Sequence, residues 1–143
     1  LQAAGEILPG WDIFAGYTHL DGEVRASNIP VQVGLPLDNT PPHSATLWTS
    51  FAVTPALRIG GGVQYNGKRR SDIPTSLTTG NITVTAPSYT VVDAFAEYRL
   101  TNNVKLRANV YNIGDKYYFQ SLGSGQSIPG PGRSGVLTLA LDF

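Results

Sequence analysis

The stretch Arg133-Ser134-Gly135-Val136-Leu137-Thr138-Leu139-Ala140-Leu141-Asp142-Phe143 decides the fold. Leu137, Leu139, Leu141 and Phe143 take every second position, while Ser134, Thr138 and Asp142 fall on the other parity. Successive side chains of a strand point to opposite faces, so this segment reads as a strand with one apolar face. It finishes on an aromatic residue, whereas the last residues of a soluble domain are usually polar and frayed.

Composition narrows the classes that hold such a strand. The chain has 143 residues, enough for one domain. It contains no run near the roughly 20 apolar residues that a membrane-spanning helix needs, so a membrane reading must be a β-barrel reading. Ten Lys plus Arg balance ten Asp plus Glu, and without a basic excess nucleic acid is not an expected partner. Cysteine is absent, and His19 and His43 lie far apart in the sequence. The expectation is therefore no disulfide, no cysteine nucleophile and no protein-built metal site. The chain opens on Leu1 without a Met or a signal peptide, as a mature or truncated product would, and we expect a fragment.

Period-two runs recur along the whole chain, and no 3.6-residue apolar period persists. Leu1 to Leu8 ends at the turn Pro9-Gly10, and a strand from Trp11 runs out near Ser27. The loop Asn28 to Pro42 leads into His43 to Val53, then Thr54-Pro55-Ala56 turns into Leu57 to Lys68. A second loop, Arg69 to Pro87, precedes Ser88 to Leu100, the turn Thr101-Asn102-Asn103 and Val104 to Ile113. A third loop, Gly114 to Gly132, precedes the last strand. The fold class predicted is all-β: about seven antiparallel, up-and-down strands with short turns at one end and long loops at the other, as in outer-membrane barrels.

Two hairpins have predicted registers. Pairing Val53 with Leu57 sets Phe51 opposite Ile59, Leu47 opposite Val63 and Ala45 opposite Tyr65, and it places the Trp48 indole over Gly62. Pairing Leu100 with Val104 sets Glu97 opposite Arg107 and Arg99 opposite Lys105, a charge pattern suited to a wet lumen rather than a dry core. Leu57, Ile59, Val63, Val92, Ala94, Leu106, Val110, Leu137, Leu139 and Leu141 are then expected to face lipid. Arg58, Gln64, Glu97 and Arg107 are expected to face inward. The run Gly60-Gly61-Gly62 sits inside a strand with no helix after it, so close packing explains it better than a phosphate loop.

Four local patterns carry a resemblance. Asn39-Thr40-Pro41-Pro42-His43, Tyr89-Thr90-Val91-Val92-Asp93, Asn112-Ile113-Gly114-Asp115-Lys116-Tyr117-Tyr118 and Gly130-Pro131-Gly132-Arg133 with the run to Phe143 occur in this order. Together they resemble the C-terminal barrel region of TonB-dependent outer-membrane ferric-siderophore receptors, with Gly132 separating the Pro and Arg that are adjacent in that family. The resemblance implies that residues 1–143 are the C-terminal portion of a larger barrel, of roughly twenty-two strands around a plugged lumen, with the plug domain outside this chain. It implies a bacterial outer-membrane location and active import of an iron-loaded siderophore, energised through TonB by way of an N-terminal region. The iron arrives chelated, so no cofactor of the protein itself is expected, and neither is catalysis.

Further expected partners are outer-membrane lipid, lipopolysaccharide and the barrel assembly machinery. Leu137, Leu139, Leu141 and Phe143 resemble the family's closing strand and assembly signal. Arg69, Arg70, Tyr117, Tyr118 and Gln120 are the expected ligand contacts, because arginines and aromatics at loop ends stack on and hydrogen-bond to polar organic chelates. Each has an ordinary alternative: Lys68-Arg69-Arg70 as a solvated loop entrance, and Tyr117 and Tyr118 as members of an interfacial aromatic girdle. A small complete outer-membrane barrel and a soluble β-sandwich binding module remain open as other architectures.

Overall fold

The computed structural model describes residues 1–74, 81–123 and 126–143. Among the described residues eleven strands form: β1 (Gln2–Leu8), β2 (Trp11–His19), β3 (His43–Ala52), β4 (Leu57–Asn66), β5 (Arg69–Pro74), β6 (Asn81–Ala86), β7 (Tyr89–Arg99), β8 (Val104–Tyr111), β9 (Phe119–Gly123), β10 (Gln126–Pro129) and β11 (Ser134–Leu141). Among the described residues the one helical piece is a 3-10 turn at Pro30–Gln32. Seven strands make one antiparallel meander in the order β1-β2-β3-β4-β7-β8-β11, the predicted architecture. The two remaining pairs, β5–β6 and β9–β10, are separate hairpins within the long loops.

Those hairpins correct the reading of Arg69 to Pro87 and Gly114 to Gly132 as plain loops. Arg-Arg-Ser-Asp-Ile-Pro in β5 has no apolar alternation because its neighbours are mostly polar loop groups, so period-two hydrophobicity had nothing to report. Strand β2 also stops at His19, short of Ser27. Beyond it Gly22 is approached so closely by Leu37 that a Cβ there would lie 2.7 Å from that side chain, and only the single bridge Glu23 to Pro36 continues the pairing.

Both predicted hairpin registers are observed. Phe51 opposes Ile59, Leu47 opposes Val63, Ala45 opposes Tyr65 and Trp48 opposes Gly62; Glu97 opposes Arg107 and Arg99 opposes Lys105. The glycine run is a packing device. A Cβ on Gly62 would lie 2.5 Å from the Trp48 ring and one on Gly60 2.5 Å from Phe95, so two aromatic rings cover bare backbone. The Arg107 guanidinium in turn lies 4.3 Å from the Phe95 ring centroid.

Cross-strand pairing sorts the wall into two faces. Rows such as Leu57-Tyr98-Leu106-Leu139 and Leu47-Val63-Val92 occupy one face, which carries all ten residues expected to meet lipid. Arg58, Glu97, Arg107 and Gln64 occupy the other, together with Asp12, whose carboxylate lies 2.6 Å from Arg58. Ionised groups are costly in hydrocarbon, so the second face lines the lumen. The outer face bears Trp11, Phe51 and Tyr98 toward the turns and Tyr17 and Tyr65 toward the loops. From Trp11 to Tyr17 is six steps, and from Tyr98 to Thr90, opposite Tyr65, is eight. At about 3.3 Å per residue these distances are of the scale of an apolar band about 25 Å tall with an aromatic girdle at each rim.

Among the described residues nothing covers the outer sheet face. Leu137 is 70 % exposed and Leu139 57 %, which suits a wall in lipid and excludes a sandwich, whose inner faces bury each other. The buried residues gather at the loop end instead: Ala86, Tyr89, Val91 and Leu122, with Arg69, Ser71, Asp72 and Asn112 among them.

Candidate functional site

Three long connections meet at the loop end, and polar side chains tie them into one cap. Asn39, from the Asn39-Thr40-Pro41-Pro42-His43 stretch, has φ +53°, a left-handed conformation that Asn tolerates better than most residues. This turns its backbone N–H toward the Arg70 carbonyl at 2.8 Å. Its side chain reaches the third connection, where Nδ2 donates to Ser121 Oγ at 2.8 Å and Oδ1 accepts the Leu122 N–H at 2.9 Å. Beside it, Asp38 Oδ1 accepts the Asp72 N–H at 3.0 Å.

The other stretches of the resemblance serve the same bracing. Asn112 (φ +49°) donates its backbone N–H to Asp93 Oδ1 at 2.7 Å, accepts the Lys116 N–H through Oδ1 and donates from Nδ2 to the Lys116 and Pro131 carbonyls. Asp115 Oδ1 accepts the Arg133 N–H at 2.9 Å. The loop before the last strand is thus anchored on both sides of Gly132.

The five expected contact residues do not converge. Arg69 is buried: its guanidinium donates to the Phe119 and Gln120 carbonyls and lies 5.6 Å from the Tyr89 ring centroid. Arg70 forms a two-pronged pair with Asp72, Nε to Oδ2 at 2.8 Å and Nη2 to Oδ1 at 2.7 Å, and Thr83 Oγ1 donates to the same carboxylate at 2.5 Å. Hydrogen bonding by Arg70 outweighs burial and holds the Asp72 carboxyl below its ordinary pKa; the same pair raises that of Arg70. Tyr118 packs on Tyr89 with ring centroids 4.2 Å apart, and burial raises the pKa of its phenol. Tyr117 stands exposed, edge-on to Phe119, and Gln120 offers its carbonyl to Arg69. The outer girdle on the loop side is made by Tyr17 and Tyr65 on the strands; Tyr118 is turned instead into the loop core.

A cleft of about 510 Å³ opens in this cap, lined by Leu20, Leu37, Pro42, Lys68, Arg70 and Thr85 among others. Arg69 and Arg70 belong to its lining, whereas Tyr117, Tyr118 and Gln120 do not. It combines an apolar wall with the cations of Lys68, Arg69 and Arg70, the carboxylate of Asp21 and threonine hydroxyls, the mixture that binds a partly apolar, polar-edged organic ligand. Lys68 makes no hydrogen bond or ion pair among the described residues, so its ammonium is available to a ligand. Lys68 was legible as part of a basic run. Leu20 and Leu37 were not, since only the folding back of residues 20–42 brings them to the cleft.

A meander that is apolar outside and charged inside, with braced loops at one end, is the wall of an outer-membrane barrel. The chain belongs to the TonB dependent receptor-like, beta-barrel family, which it matches over residues 1–113. It is 34% identical over 147 residues to the probable TonB-dependent receptor BfrD of Bordetella pertussis, covering 100% of this chain and 20% of that protein. It is 32% identical over 146 residues to the catecholate siderophore receptor Fiu of Escherichia coli K12, covering 100% and 19%. The crystal structure of the siderophore receptor PiuA from Acinetobacter baumannii superposes with a TM-score of 0.81 at 34% identity, over 98% of this chain and 20% of that one. The chain thus spans about a fifth of the length of these relatives, as a segment of a larger barrel rather than a small complete one.

Proposed function

We propose that this segment forms the C-terminal wall of a receptor that imports iron-loaded siderophores across the outer membrane, energised through TonB. The observation that carries the proposal is the cleft at the loop end, where Lys68 and Arg70 stand beside Leu20, Leu37 and Pro42 on a cap braced by Asn39 and Arg69. A siderophore presents anionic or strongly polar iron-binding groups on an organic frame. Cations and hydroxyls meet the first, and the apolar wall meets the second. The chelator holds the iron, so the protein has only to recognise the complex, and transport breaks no covalent bond. Fiu is described as a catecholate receptor and another similar structure as a ferripyoverdine receptor bound to ferripyoverdine; both ligand types carry such a chelate.

Arg69 and Gln120 support the site by fixing β9 against β5, and Lys68 and Arg70 of the cleft lining are the residues assigned here to touch ligand. Contact with TonB belongs to an N-terminal region of the receptor, and contacts with lipopolysaccharide and the assembly machinery belong to the outer wall and to β11 with the Asp142-Phe143 tail that follows it. The test is uptake of radiolabelled iron, presented as ferric catecholates and as ferripyoverdines, by cells lacking the gene and by cells restored with the full-length receptor. Restoration of uptake for one class, lost again when TonB is removed, is the expected result. Equal uptake with and without the receptor for every siderophore would overturn the reading.

A further inference from the structure

Outside the cleft, the strand register produces a second cluster. His19 and His43, separated by the whole of residues 20–42, are directly opposed on β2 and β3, and their rings stack with centroids 4.6 Å apart at 22°. The register thus brings side by side two histidines that lie far apart in the sequence. Both are exposed and lie on the outer, lipid-side parity at the loop end, in the row above Tyr17 and Ala45.

The outer bonds of the two rings determine what they offer. His19 Nδ1 lies 3.1 Å from the Pro42 carbonyl, which can only accept, so Nδ1 is the donor of this bond and the lone pair of the neutral ring falls on Nε2. His43 Nδ1 lies 2.7 Å from the Tyr17 hydroxyl, which can accept its proton in the same way. Neither Nε2 has a protein partner among the described residues. Metal-binding histidines have this arrangement, one ring nitrogen held by a carbonyl or hydroxyl and the other turned to the ion.

We propose that His19 and His43 form a two-imidazole chelate for a divalent transition metal, tightest for Cu²⁺, on the outward face of the barrel at the base of the loop 20–42. Bonds of about 2.0 Å to one ion need the two nitrogens roughly 3 Å apart, a spacing that small rotations of two stacked, exposed rings can reach. Among the described residues no third His, Cys, Asp or Glu joins them, so water completes the coordination, and imidazole donors with open positions favour copper over nickel and zinc. Strands β2 and β3 are each paired on both edges, so further strands of the barrel add elsewhere and the site stays on the outer surface. The bridge would close the first rung of the β2–β3 ladder and staple the loop that carries Asp38 and Asn39.

The experiment is titration of the purified full-length receptor with Cu²⁺, read by electron paramagnetic resonance and by metal stoichiometry. Folding of each variant is checked by heat-modifiable gel mobility. Wild type should hold one more equivalent of Cu²⁺ than His19→Gln or His43→Gln, and the difference spectrum should show two equatorial imidazole nitrogens. Tyr17→Phe, which keeps both Nε2 atoms but loses the outer bond, should retain that equivalent with affinity reduced about tenfold or more. It keeps the test decisive if a histidine variant does not fold. Equal stoichiometry in wild type and a folded histidine variant, or a difference spectrum with a single imidazole, would overturn the proposal.

Discussion

The carboxamide of Asn39 accepts the backbone N–H of Leu122 at 2.9 Å across a sequence separation of 83 residues. The same side chain donates to Ser121, so a residue of the first long connection fixes the third one directly. Asn39→Ala removes both bonds, leaves a half-buried N–H unpaired and forces Ala into the left-handed region. Asn39→Gly removes the bonds but tolerates the backbone angle. We expect a local loss of about 1 to 3 kcal/mol for Ala and somewhat less for Gly. Hydrogen exchange of residues 119–123 in the full-length receptor would show it. Protection unchanged in both variants would mean that the loops are held by other contacts.

Much of this arrangement was readable beforehand, for reasons that differ by region. In the wall one face of each strand meets lipid and the other meets water, so Leu57, Ile59 and Val63 alternate with Arg58 and Gln64 and the register follows from matching faces. The cap obeys no such rule. The partners of Arg69 are the carbonyls of Phe119 and Gln120, those of Asn39 are a hydroxyl and an amide, and no periodicity encodes bonds between residues so far apart. Asn39, Asp93, Asn112 and Asp115 stood out only through the resemblance, and the structure supplies their physical reason: each aims a short polar side chain at backbone groups that would otherwise lack partners. The pairing of His19 with His43 needed the β2–β3 register, which the misplaced end of β2 concealed.

Gly62 has room for no Cβ because the Trp48 indole lies over it. Gly62→Ala should therefore push the ring off its site and destabilise the barrel by about 1 to 3 kcal/mol, the usual range for overpacking. The double variant Trp48→Ala with Gly62→Ala should be less destabilised than the sum of the two singles. A double-mutant cycle in urea on the full-length receptor measures this, and strict additivity would show that the contact carries no energy.

The hairpin β5–β6 should respond to acid. Asp72 titrates below its ordinary value because Arg70 and Thr83 bind its ionised form. Its contribution is present above the unfolded carboxylate value, near pH 4, and is lost as the pH falls from there through the lower folded value. Protection of residues 69–74 and 81–86 against hydrogen exchange, taken relative to the intrinsic rate at each pH, should fall as the pH drops below about 4, and Asp72→Asn should show the loss of protection already at pH 7, with the β3–β4 ladder unaffected. Acid-independent protection in the hairpin of the native receptor would contradict the role given to the carboxylate.

Val63 and Gln64 are neighbours in the chain on opposite faces of the wall: Val63 lies in the row Leu47-Val63-Val92, and Gln64 lies between Thr46 and Val91. A lysine at position 63 carries its ammonium into the apolar band, whereas at position 64 it meets the polar lumen. Val63→Lys should destabilise the folded barrel by about 2 to 4 kcal/mol, less if the long side chain reaches the headgroups, and Gln64→Lys should stay within about 1 kcal/mol of wild type. Equilibrium unfolding of the full-length receptor in lipid vesicles distinguishes them. A larger loss at position 64 than at 63 would mean that the two faces have been assigned the wrong way round, and with them the placement of the histidine pair on the outside.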